Sequence, residues 1–212
     1  VNRLSDVSFT AYSGEILGVA GISGSGQKEL LEAIAGLQSC KDCSSIEFIS
    51  DKGEKKQLSG MHPLDIKNLG VALAFVPEDR LGMGLVGSMN LTDNMMLRSY
   101  RNGKGPLADR KTPQKLAETV VRELEVVTPS INTPVRRLSG GNVQKVLVGR
   151  EIAMQPQLLM SAYAVRGLDI NTSYNIYHLL SEQKARGASV IFVGEDLDVL
   201  LELCDRILVL CA

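Results

Sequence analysis

The sequence of 212 residues has no long apolar run and no strong imbalance of charge. A membrane-spanning helix needs about 18 or more consecutive apolar residues, and no such stretch occurs. The opening segment VNRLSDVSFTAYSGE also has no apolar core of the kind that a signal peptide needs. Lys and Arg number 23 against 24 Asp and Glu, which gives a net charge of −1. Because proteins that bind nucleic acids usually carry a basic excess, we expect no nucleic-acid partner.

Residues that commonly ligate metals are also scarce. There are two histidines and four cysteines, namely His62, His178, Cys40, Cys43, Cys204 and Cys211. Only Cys40 and Cys43 are close together, as CKDC, and a structural zinc site would need two more ligands at matching spacing. We therefore expect no metal site. Four cysteines in a chain of this length do not make a disulfide scaffold, so a reducing compartment fits.

Short apolar runs alternate with helical patterns along much of the chain. The runs predict buried strands at Ile16–Ala20, Ile46–Ile49, Val71–Val76, Leu158–Ala162, Ser189–Val193 and Ile207–Leu210. Helical patterns follow the first of these runs, as KELLEAIAGL ending near Gly36, and occupy the segment from about Thr172 to Arg186. Buried strands separated by helices predict an α/β fold with a mostly parallel sheet flanked by helices.

Strand signals disappear between Gly82 and Val148. Leu91–Leu97 and Leu116–Val127 have helical spacing of apolar residues, and the segment 101–113 is polar and rich in Gly and Pro, which predicts a loop. We expect a single domain in which a helical subdomain, about 81–149, interrupts a sheet subdomain of about 1–80 and 150–212.

A cluster of glycines follows the first predicted strand, in GVAGISGSGQKELLEAI. Glycines at a strand-to-helix turn allow backbone amides to approach an anion, and the helix that follows adds its N-terminal dipole. Neither the dinucleotide pattern nor the nucleophile elbow fits, and the closest match is the phosphate-binding loop G-x-x-x-x-G-K-[ST]. A tight structural turn remains the alternative. The candidate phosphate-binding residues are Gly21, Ser23, Gly24, Ser25, Gly26, Gln27, Lys28 and Glu29.

Four further segments follow the glycine loop in an order that carries information about the family. They are VPEDR (76–80), LSGGNVQKV (138–146), PQLLMSAYAVRGLD (156–169) and VIFVGEDLD (190–198). Together with the glycine loop, they make essentially the whole chain resemble the nucleotide-binding domain of an ABC transporter. The nearest subfamily is the double ATPase of bacterial simple-sugar and nucleoside importers, in which the second of two fused domains has a GxxGxGQxE loop, VPEDR, LSGGNQQK and RGLD.

This resemblance implies the P-loop ABC ATPase fold and a role as part of a longer chain with two such domains. The aromatic residue that stacks on adenine in this family would lie upstream of Val1. The resemblance also shows where the sequence departs from the family. Gln27 stands at the phosphate-gripping Lys, Lys28 at the magnesium-binding hydroxyl, Glu78 at the Gln of the Q-loop, Ala162 at the Walker B Asp, Tyr163 at the catalytic Glu and Glu195 at the switch His.

These departures predict that the domain's own loop does not hydrolyse ATP. Loss of the Lys removes a charge-assisted hydrogen bond worth about 1.5–3 kcal/mol. Loss of the catalytic base costs about 10²–10⁴ in rate. Glu78 and Glu195 would place anions opposite a polyphosphate. We expect weak ATP binding through backbone amides, with Mg²⁺ held at a partner's site instead.

The signature is retained, and so are the three loop glycines. In the family, two domains pair head to tail, and the signature of one contacts the γ-phosphate of the ATP held by the other. We therefore expect Ser139, Gly140, Gly141 and Asn142 to act in trans, and Asp169 of the D-loop to lie at the seam between domains. The simpler interpretation of the same residues is a helix start capped by Ser139, and both can hold at once.

The family context also implies partners and a location. We expect a second ABC ATPase domain, transmembrane permease subunits and, indirectly, a solute-binding protein, with the chain peripheral at the cytoplasmic face of a bacterial membrane. The segment from Glu78 to Leu97 would face the permease. Its methionines, Met83, Met89, Met95 and Met96, suit either that adaptable contact surface or the core of the helical subdomain.

Two other functions stay open on sequence grounds. The chain could be a working ATPase that uses Lys28 with Glu29 or Glu195 as a nonstandard acid. It could also be an interaction module that has the fold and binds no nucleotide.

Overall fold

The computed structural model describes residues 4–22, 24–40, 44–100 and 109–211, and the chain divides into two compact units. The sheet unit consists of Val1–Phe75, Pro156–Tyr163 and Leu179–Ala212. The helical unit consists of Val76–Gln155 and Ala164–His178. The subdomain boundaries near residues 80 and 150 stay a prediction.

A five-stranded sheet forms the centre of the sheet unit, in the order β4-β5-β6-β1-β7. The strands are β1 (Ile16–Ala20), β4 (Leu73–Val76), β5 (Leu158–Ala162), β6 (Ser189–Val193) and β7 (Arg206–Val209). The pairings β5–β6, β6–β1 and β1–β7 are parallel. Every residue of β1 and β5 is buried, as the continuous apolar runs predicted for strands covered on both faces. The predicted α/β class with a mostly parallel sheet is confirmed.

Helices and a small second sheet complete the elements around this sheet. The helices are α1 (Gln27–Ile34), α2 (Pro63–Asn68), α6 (Ile170–Ala185) and α7 (Leu197–Leu203), and an antiparallel pair is formed by β2 (Glu47–Ile49) and β3 (Lys55–Gln57). Helix α1 turns Leu31 and Ile34 into a core that also holds Val19, Met160 and Ile191. This packing fixes the direction in which α1 leaves the glycine loop.

The helical unit contains a π-helix (Arg80–Gly84), α3 (Leu91–Met96), α4 (Lys111–Glu123), a 3₁₀ turn (Val135–Arg137) and α5 (Gly140–Ile152). Within the described residues between 82 and 148, no strand occurs, and one isolated bridge joins Asn90 to Pro134. Leu91, Met95, Ala117, Val120 and Leu147 are buried. The predicted helical insertion is therefore confirmed for this stretch.

Helix α4 lies about four residues earlier than predicted. The sequence predicted Leu116–Val127 after a loop at 101–113, but α4 begins at Lys111. Asp109 Oδ1 accepts the Lys111 amide at 2.9 Å and so starts the helix inside the predicted loop, whose first eight residues lie outside the described part of the chain. The helix ends early because Glu125 adopts a left-handed φ of 50°.

Smaller differences affect the strands and α2. The strand predicted at Val71–Val76 starts at Leu73 because the Ala72 amide donates to the Gln157 side chain instead of to a strand. The strand predicted at Ile46–Ile49 starts at Glu47, and the last strand is Arg206–Val209 instead of Ile207–Leu210. The sequence did not reveal β3, which reads KKQ, or α2, whose start is capped by the imidazole of His62.

A buried carboxylate joins three segments of the helical unit. Glu151, fully buried near the end of α5, accepts hydrogen bonds from Arg98 and from Arg150 Nε, the latter at 2.9 Å. Arg150 Nη2 in turn donates to the Gly84 carbonyl of the π-helix at 2.7 Å. Burial lowers the pKa of Arg150, and the Glu151 carboxylate opposes that shift. Each side chain of this buried pair therefore faces a partner of opposite charge.

Gly36, just after α1, offers a test of close packing. Gly36 and Gly70 both have left-handed φ angles, 73° and 78°, but a methyl group on Gly36 would lie 2.2 Å from the Met61 carbonyl oxygen. No atom lies within 4 Å of a methyl group on Gly70. We expect Gly36→Ala to lower the free energy of unfolding by about 1–3 kcal/mol more than Gly70→Ala, because only the first adds a clash to the backbone strain. Chemical denaturation of both variants measures this, and equal losses would contradict the packing at Gly36.

The buried carboxylate gives a second test. Glu151→Gln leaves Arg150 buried without its counter-charge, and we expect the free energy of unfolding to fall by about 3–5 kcal/mol. The matched control is Glu123→Gln, which breaks the exposed pair with Arg122 and should cost less than about 1 kcal/mol. The two values come from the same denaturation experiment. A Glu151 variant as stable as the control would show that the carboxylate does not hold these segments together.

Candidate functional site

The loop between β1 and α1 has the geometry of an anion cradle. Gly24 and Gly26 adopt left-handed φ angles of 90° and 97°, a region that favours glycine. Gly26 is the N-cap of α1 and makes no side-chain cap, so the first amides of the helix have no intrahelical acceptor. The predicted strand–loop–helix arrangement is confirmed. Ser23, also predicted to bind phosphate, lies outside the described residues.

Gln27 closes the loop on itself. Its side chain is only 2% exposed, and Nε2 donates to the Ile22 carbonyl at 3.1 Å, an oxygen that also accepts the Ser25 amide. A methyl group on Gly21 would lie 2.6 Å from Gln27 Nε2, so the amide packs tightly under the loop. The side chain at the position of the phosphate-gripping Lys is thus part of the loop's own hydrogen bonding and has no charge to offer.

Lys28 points along the helix. Its Nζ lies 3.7 Å from Glu32 Oε1, one turn later in α1, and its side chain is about half exposed. The buried Glu32 also accepts the Gln38 side-chain amide, through Oε2 at 2.5 Å. Glu29, the acid in the first turn of α1, is half-buried. In this geometry, Lys28 balances a carboxylate of its own helix.

Ser25 contributes a feature that the sequence did not reveal. Its side chain is 6% exposed, and its Oγ has no hydrogen-bond partner among the described residues. Gly24 and Ser25 line a cavity of about 480 Å³, together with the segments 4–8 and 208–211. Sequence reasoning could not find this cavity because its walls come from opposite ends of the chain. A hydroxyl beside free helix amides adds one more donor for an anion on the loop.

The positions of the Walker B Asp and the catalytic Glu have no acid. Ala162, the last residue of β5, is 1% exposed. Tyr163 follows with a left-handed φ of 50°, its amide donates to the Val193 carbonyl at 3.0 Å, and its side chain packs against the apolar core of the sheet unit. Neither Ala162 nor Tyr163 offers a carboxylate at this strand end.

Like Glu78, the residue at the position of the switch His is acidic, and it lies at the surface. Glu195 is exposed in the short connection between β6 and α7. The next residue, Asp196, is the N-cap of α7, and its Oδ1 accepts the Asp198 amide at 2.9 Å.

The signature residues form the start of α5, within the helical unit. Ser139 is the N-cap, and its Oγ accepts the Asn142 amide at 3.4 Å and Asn142 Nδ2 at 2.9 Å. The capping interpretation is thus confirmed. Asn142 Oδ1 accepts the Val127 amide at 2.9 Å, so this side chain ties the chain after α4 to the signature. Gly140 and Gly141 occupy the first helical positions, where amides have no intrahelical acceptor.

Asp169 lies beside the signature. Its two carboxylate oxygens accept the amide and the hydroxyl of Thr172, at 2.9 and 2.7 Å, and these hydrogen bonds lower its pKa. A methyl group on Gly141 would lie 3.4 Å from Thr172 Oγ1 and 3.8 Å from Asp169 Oδ2. The starts of α5 and α6 therefore adjoin, and two motifs about 30 residues apart in sequence share one surface.

Glu78 does not present a free anion. Arg166 Nη1 donates to Glu78 Oε1 at 2.5 Å, so the charge that the sequence analysis expected opposite a polyphosphate is neutralised within the helical unit. Arg80 Nη2 donates to the carbonyl oxygen of the same Arg166. The segment VPEDR is thereby tied to the loop that leads to Asp169. Sequence reasoning singled out neither arginine, although both lie inside the quoted motifs.

The methionine-rich segment divides between the two roles considered for it. Met83 and Met89 are 46% and 38% exposed, as are the neighbouring Leu81 and Val86 at similar fractions. Met95 is fully buried in α3. Met95 thus belongs to the core of the helical unit, whereas Leu81, Met83, Val86 and Met89 are exposed apolar side chains.

The described residues contain neither a metal-binding cluster nor a membrane-spanning helix. No group of three or more His, Cys, Asp or Glu side chains there could hold a metal ion. No helix in the same ranges is both long and apolar enough to cross a membrane.

Known proteins resemble this chain along nearly its whole length. The chain is 34% identical over 210 residues to a ribose import ATP-binding protein of Mesorhizobium japonicum, and 35% identical over 208 residues to a xylose import ATP-binding protein of Moorella thermoacetica. A guanosine import ATP-binding protein of Bacillus subtilis is 34% identical over 215 residues. These matches cover 98–99% of this chain but only 40% of each relative, so the chain spans less than half of their length.

Solved structures share the fold. A dimeric ATP-binding cassette in a post-hydrolysis state, bound to ADP and Pi, superimposes with a TM-score of 0.79 at 22% identity, covering 98% of this chain and 85% of that one. A nucleotide-free cassette gives a TM-score of 0.69 at 20% identity, with 96% and 79% covered. At these identities, the likeness establishes the P-loop ABC ATPase fold.

The sequence profile described as "ABC transporter" matches residues 4–161, which is well over half of the 212 residues. This match agrees with the motif order, with the loop between β1 and α1, and with the signature at the start of α5. The chain belongs to the ABC transporter family.

Proposed function

We propose that this chain is the degenerate ATPase domain of a two-domain ATP-binding protein that serves an importer of simple sugars or nucleosides. The names of the ribose, xylose and guanosine relatives support that class of solute. In this proposal, the chain does not hydrolyse ATP at its own loop. It supplies its signature to the ATP held by the other ATPase domain.

One observation carries the proposal, namely the loss of every charged group that phosphoryl transfer needs at the chain's own loop. Gln27 is buried and bonded to Ile22, Lys28 is paired with Glu32, and the strand end has Ala162 and Tyr163. Catalysis of phosphoryl transfer depends on neutralising charge around the γ-phosphate. The loop still offers helix amides, so it binds ATP weakly and without support for Mg²⁺.

The signature, in contrast, keeps everything that it needs for work in trans. Ser139 and Gly140 are exposed at the start of α5, and the first amides of this 13-residue helix point outward along its axis. Donors placed where charge develops stabilise the transition state without moving. Ser139 and the amides of Gly140 and Gly141 would contact the γ-phosphate, and Asn142 would hold the segment in place. Asp169 would lie at the seam between the two domains.

The exposed apolar surface at Leu81, Met83, Val86 and Met89 is the proposed contact with a transmembrane permease subunit. Flexible thioethers suit a surface that must follow a moving partner. The protein would lie at the cytoplasmic face of the membrane, with a solute-binding protein acting on the far side of the same permease.

We expect negligible Mg²⁺-dependent ATP hydrolysis by the isolated chain, because no base or metal-supporting carboxylate remains at its loop. Phosphate release, measured beside a heat-inactivated sample, tests this. ATP titrated onto the same chain should bind weakly and with little effect of Mg²⁺. Turnover that disappears in Lys28→Ala or Glu29→Ala would establish the alternative, a working ATPase with nonstandard residues.

In the two-domain protein assembled with its permease, we expect Ser139→Arg to abolish ATP hydrolysis, because the larger side chain blocks the seam. Lys28→Ala should retain most of the activity. Ser181→Arg, a matched change at an exposed position of α6, serves as the control. If Lys28→Ala is the more damaging change, the chain's own loop is the working site. If neither variant changes ATP-dependent pairing or hydrolysis, the chain is an interaction module.

A further inference from the structure

Arg80 is the first residue of an unusual element. It begins the π-helix Arg80–Gly84. π-Helices are rare in proteins, and those that occur often lie at functional sites. Both ends of this element are held, since Asp79 Oδ1 accepts the Gly82 amide at 2.8 Å and Arg150 donates to the Gly84 carbonyl at 2.7 Å. The backbone that carries Arg80 is therefore fixed relative to α5, the helix that begins with the signature.

The guanidinium group of Arg80 lies between two segments that face the proposed partner. Its Nη2 donates to the Arg166 carbonyl, in the loop that leads to Asp169. Its Nη1 lies 3.3 Å from the position of a methyl group on Gly140, at the start of α5. One nitrogen is thus used to hold the loop, and the other lies beside the signature.

No carboxylate forms an ion pair with Arg80 among the described residues. The nearby acids have other partners, because Glu78 pairs with Arg166, Asp169 binds Thr172, and Asp79 caps the π-helix. Partial burial lowers the pKa of Arg80, and no charged neighbour opposes this shift. The first turn of α5 adds the positive end of a helix dipole. A cation at such a place can attract an anion that arrives from a partner.

We propose that Arg80 contacts the terminal phosphate of the ATP bound to the partner domain, beside Ser139 and the amides of Gly140 and Gly141. This proposal rests on the function proposed above. The planar guanidinium has several fixed donors, so Nη2 can stay on the Arg166 carbonyl and Nη1 can donate to a phosphate oxygen.

Arg80 then acts by charge alone. In hydrolysis, water adds to the γ-phosphorus and the bond to the β–γ bridging oxygen breaks. Arg80 exchanges no proton and forms no covalent bond, but it stabilises the negative charge on the γ-phosphate oxygens. Through its hydrogen bond to the Arg166 carbonyl, it would also connect the phosphate at the closed seam to the loop at Arg166.

Two substitutions separate contact with phosphate from a structural role. Arg80→Gln keeps an N–H donor for the Arg166 carbonyl but removes the charge, whereas Arg80→Lys keeps the charge. In the assembled two-domain protein, we expect Arg80→Gln to lower kcat for ATP hydrolysis about 10- to 100-fold, the equivalent of one charge-assisted hydrogen bond. Arg80→Lys should recover a substantial part of that loss. Arg122→Gln removes the same charge from the exposed face of α4 and should leave kcat unchanged.

The experiment also measures the midpoint of thermal unfolding of each variant. It includes Ser139→Arg as a separate test of the function in trans. Arg80→Gln with a wild-type midpoint and reduced kcat supports the proposal. Full activity of Arg80→Gln overturns it, and so does a loss shared equally by the Lys and Gln variants together with a lowered midpoint, because the role is then structural. If Ser139→Arg leaves hydrolysis intact, the trans function itself fails. If Ser139→Arg abolishes hydrolysis and Arg80→Gln does not affect it, only the role of Arg80 is refuted.

Discussion

The full burial of the Glu151 carboxylate constrains the whole helical unit. An ion without contact with water needs its counter-charges in fixed positions, and Arg98 and Arg150 supply them. Arg150 also binds the Gly84 carbonyl, so the end of α5 is joined to the π-helix. Through this network, the signature at one end of α5 and Arg80 at the start of the π-helix are held as parts of one body. The surface proposed to meet the partner's ATP depends on a charge cluster at the opposite end of α5.

The two sites that we propose to meet phosphate differ in how their polar groups are used. At the loop after β1, the Gln27 side chain donates to the Ile22 carbonyl, and Lys28 pairs with Glu32. At the start of α5, the capping hydroxyl of Ser139 and the first amides remain exposed. We propose that the loop without a free cation binds ATP weakly, and that the amides at the start of α5 act together with Arg80 as donors to the partner's phosphate. This asymmetry is the physical basis for assigning the chain's work to the partner's nucleotide.

The ion pair with Arg166 also explains how the acidic residue Glu78 is accommodated. Glu78 stands where the family has Gln, and an unpaired carboxylate there would repel phosphate. The Arg166 side chain binds it at 2.5 Å, while the Arg166 carbonyl binds Arg80. The pair links the segment VPEDR to the loop before Asp169.

The sequence by itself determined the fold class, the approximate positions of six strands along the chain, the glycine loop and the signature helix, because continuous apolar runs and glycine spacing are local signals. It also predicted which catalytic positions have lost their acids, because Ala162 and Tyr163 stand in a motif that can be read from the sequence. It misplaced α4, because the Asp109 cap and the left-handed Glu125 are details of backbone conformation. Only the tertiary structure decided where charges are compensated. It pairs Glu78 with Arg166, turns Lys28 towards Glu32, and places beside Gly140 the guanidinium of Arg80, which has no carboxylate partner among the described residues. A charge is neutralised by what lies within a few ångströms, and residues about 90 positions apart become neighbours only after the chain has folded.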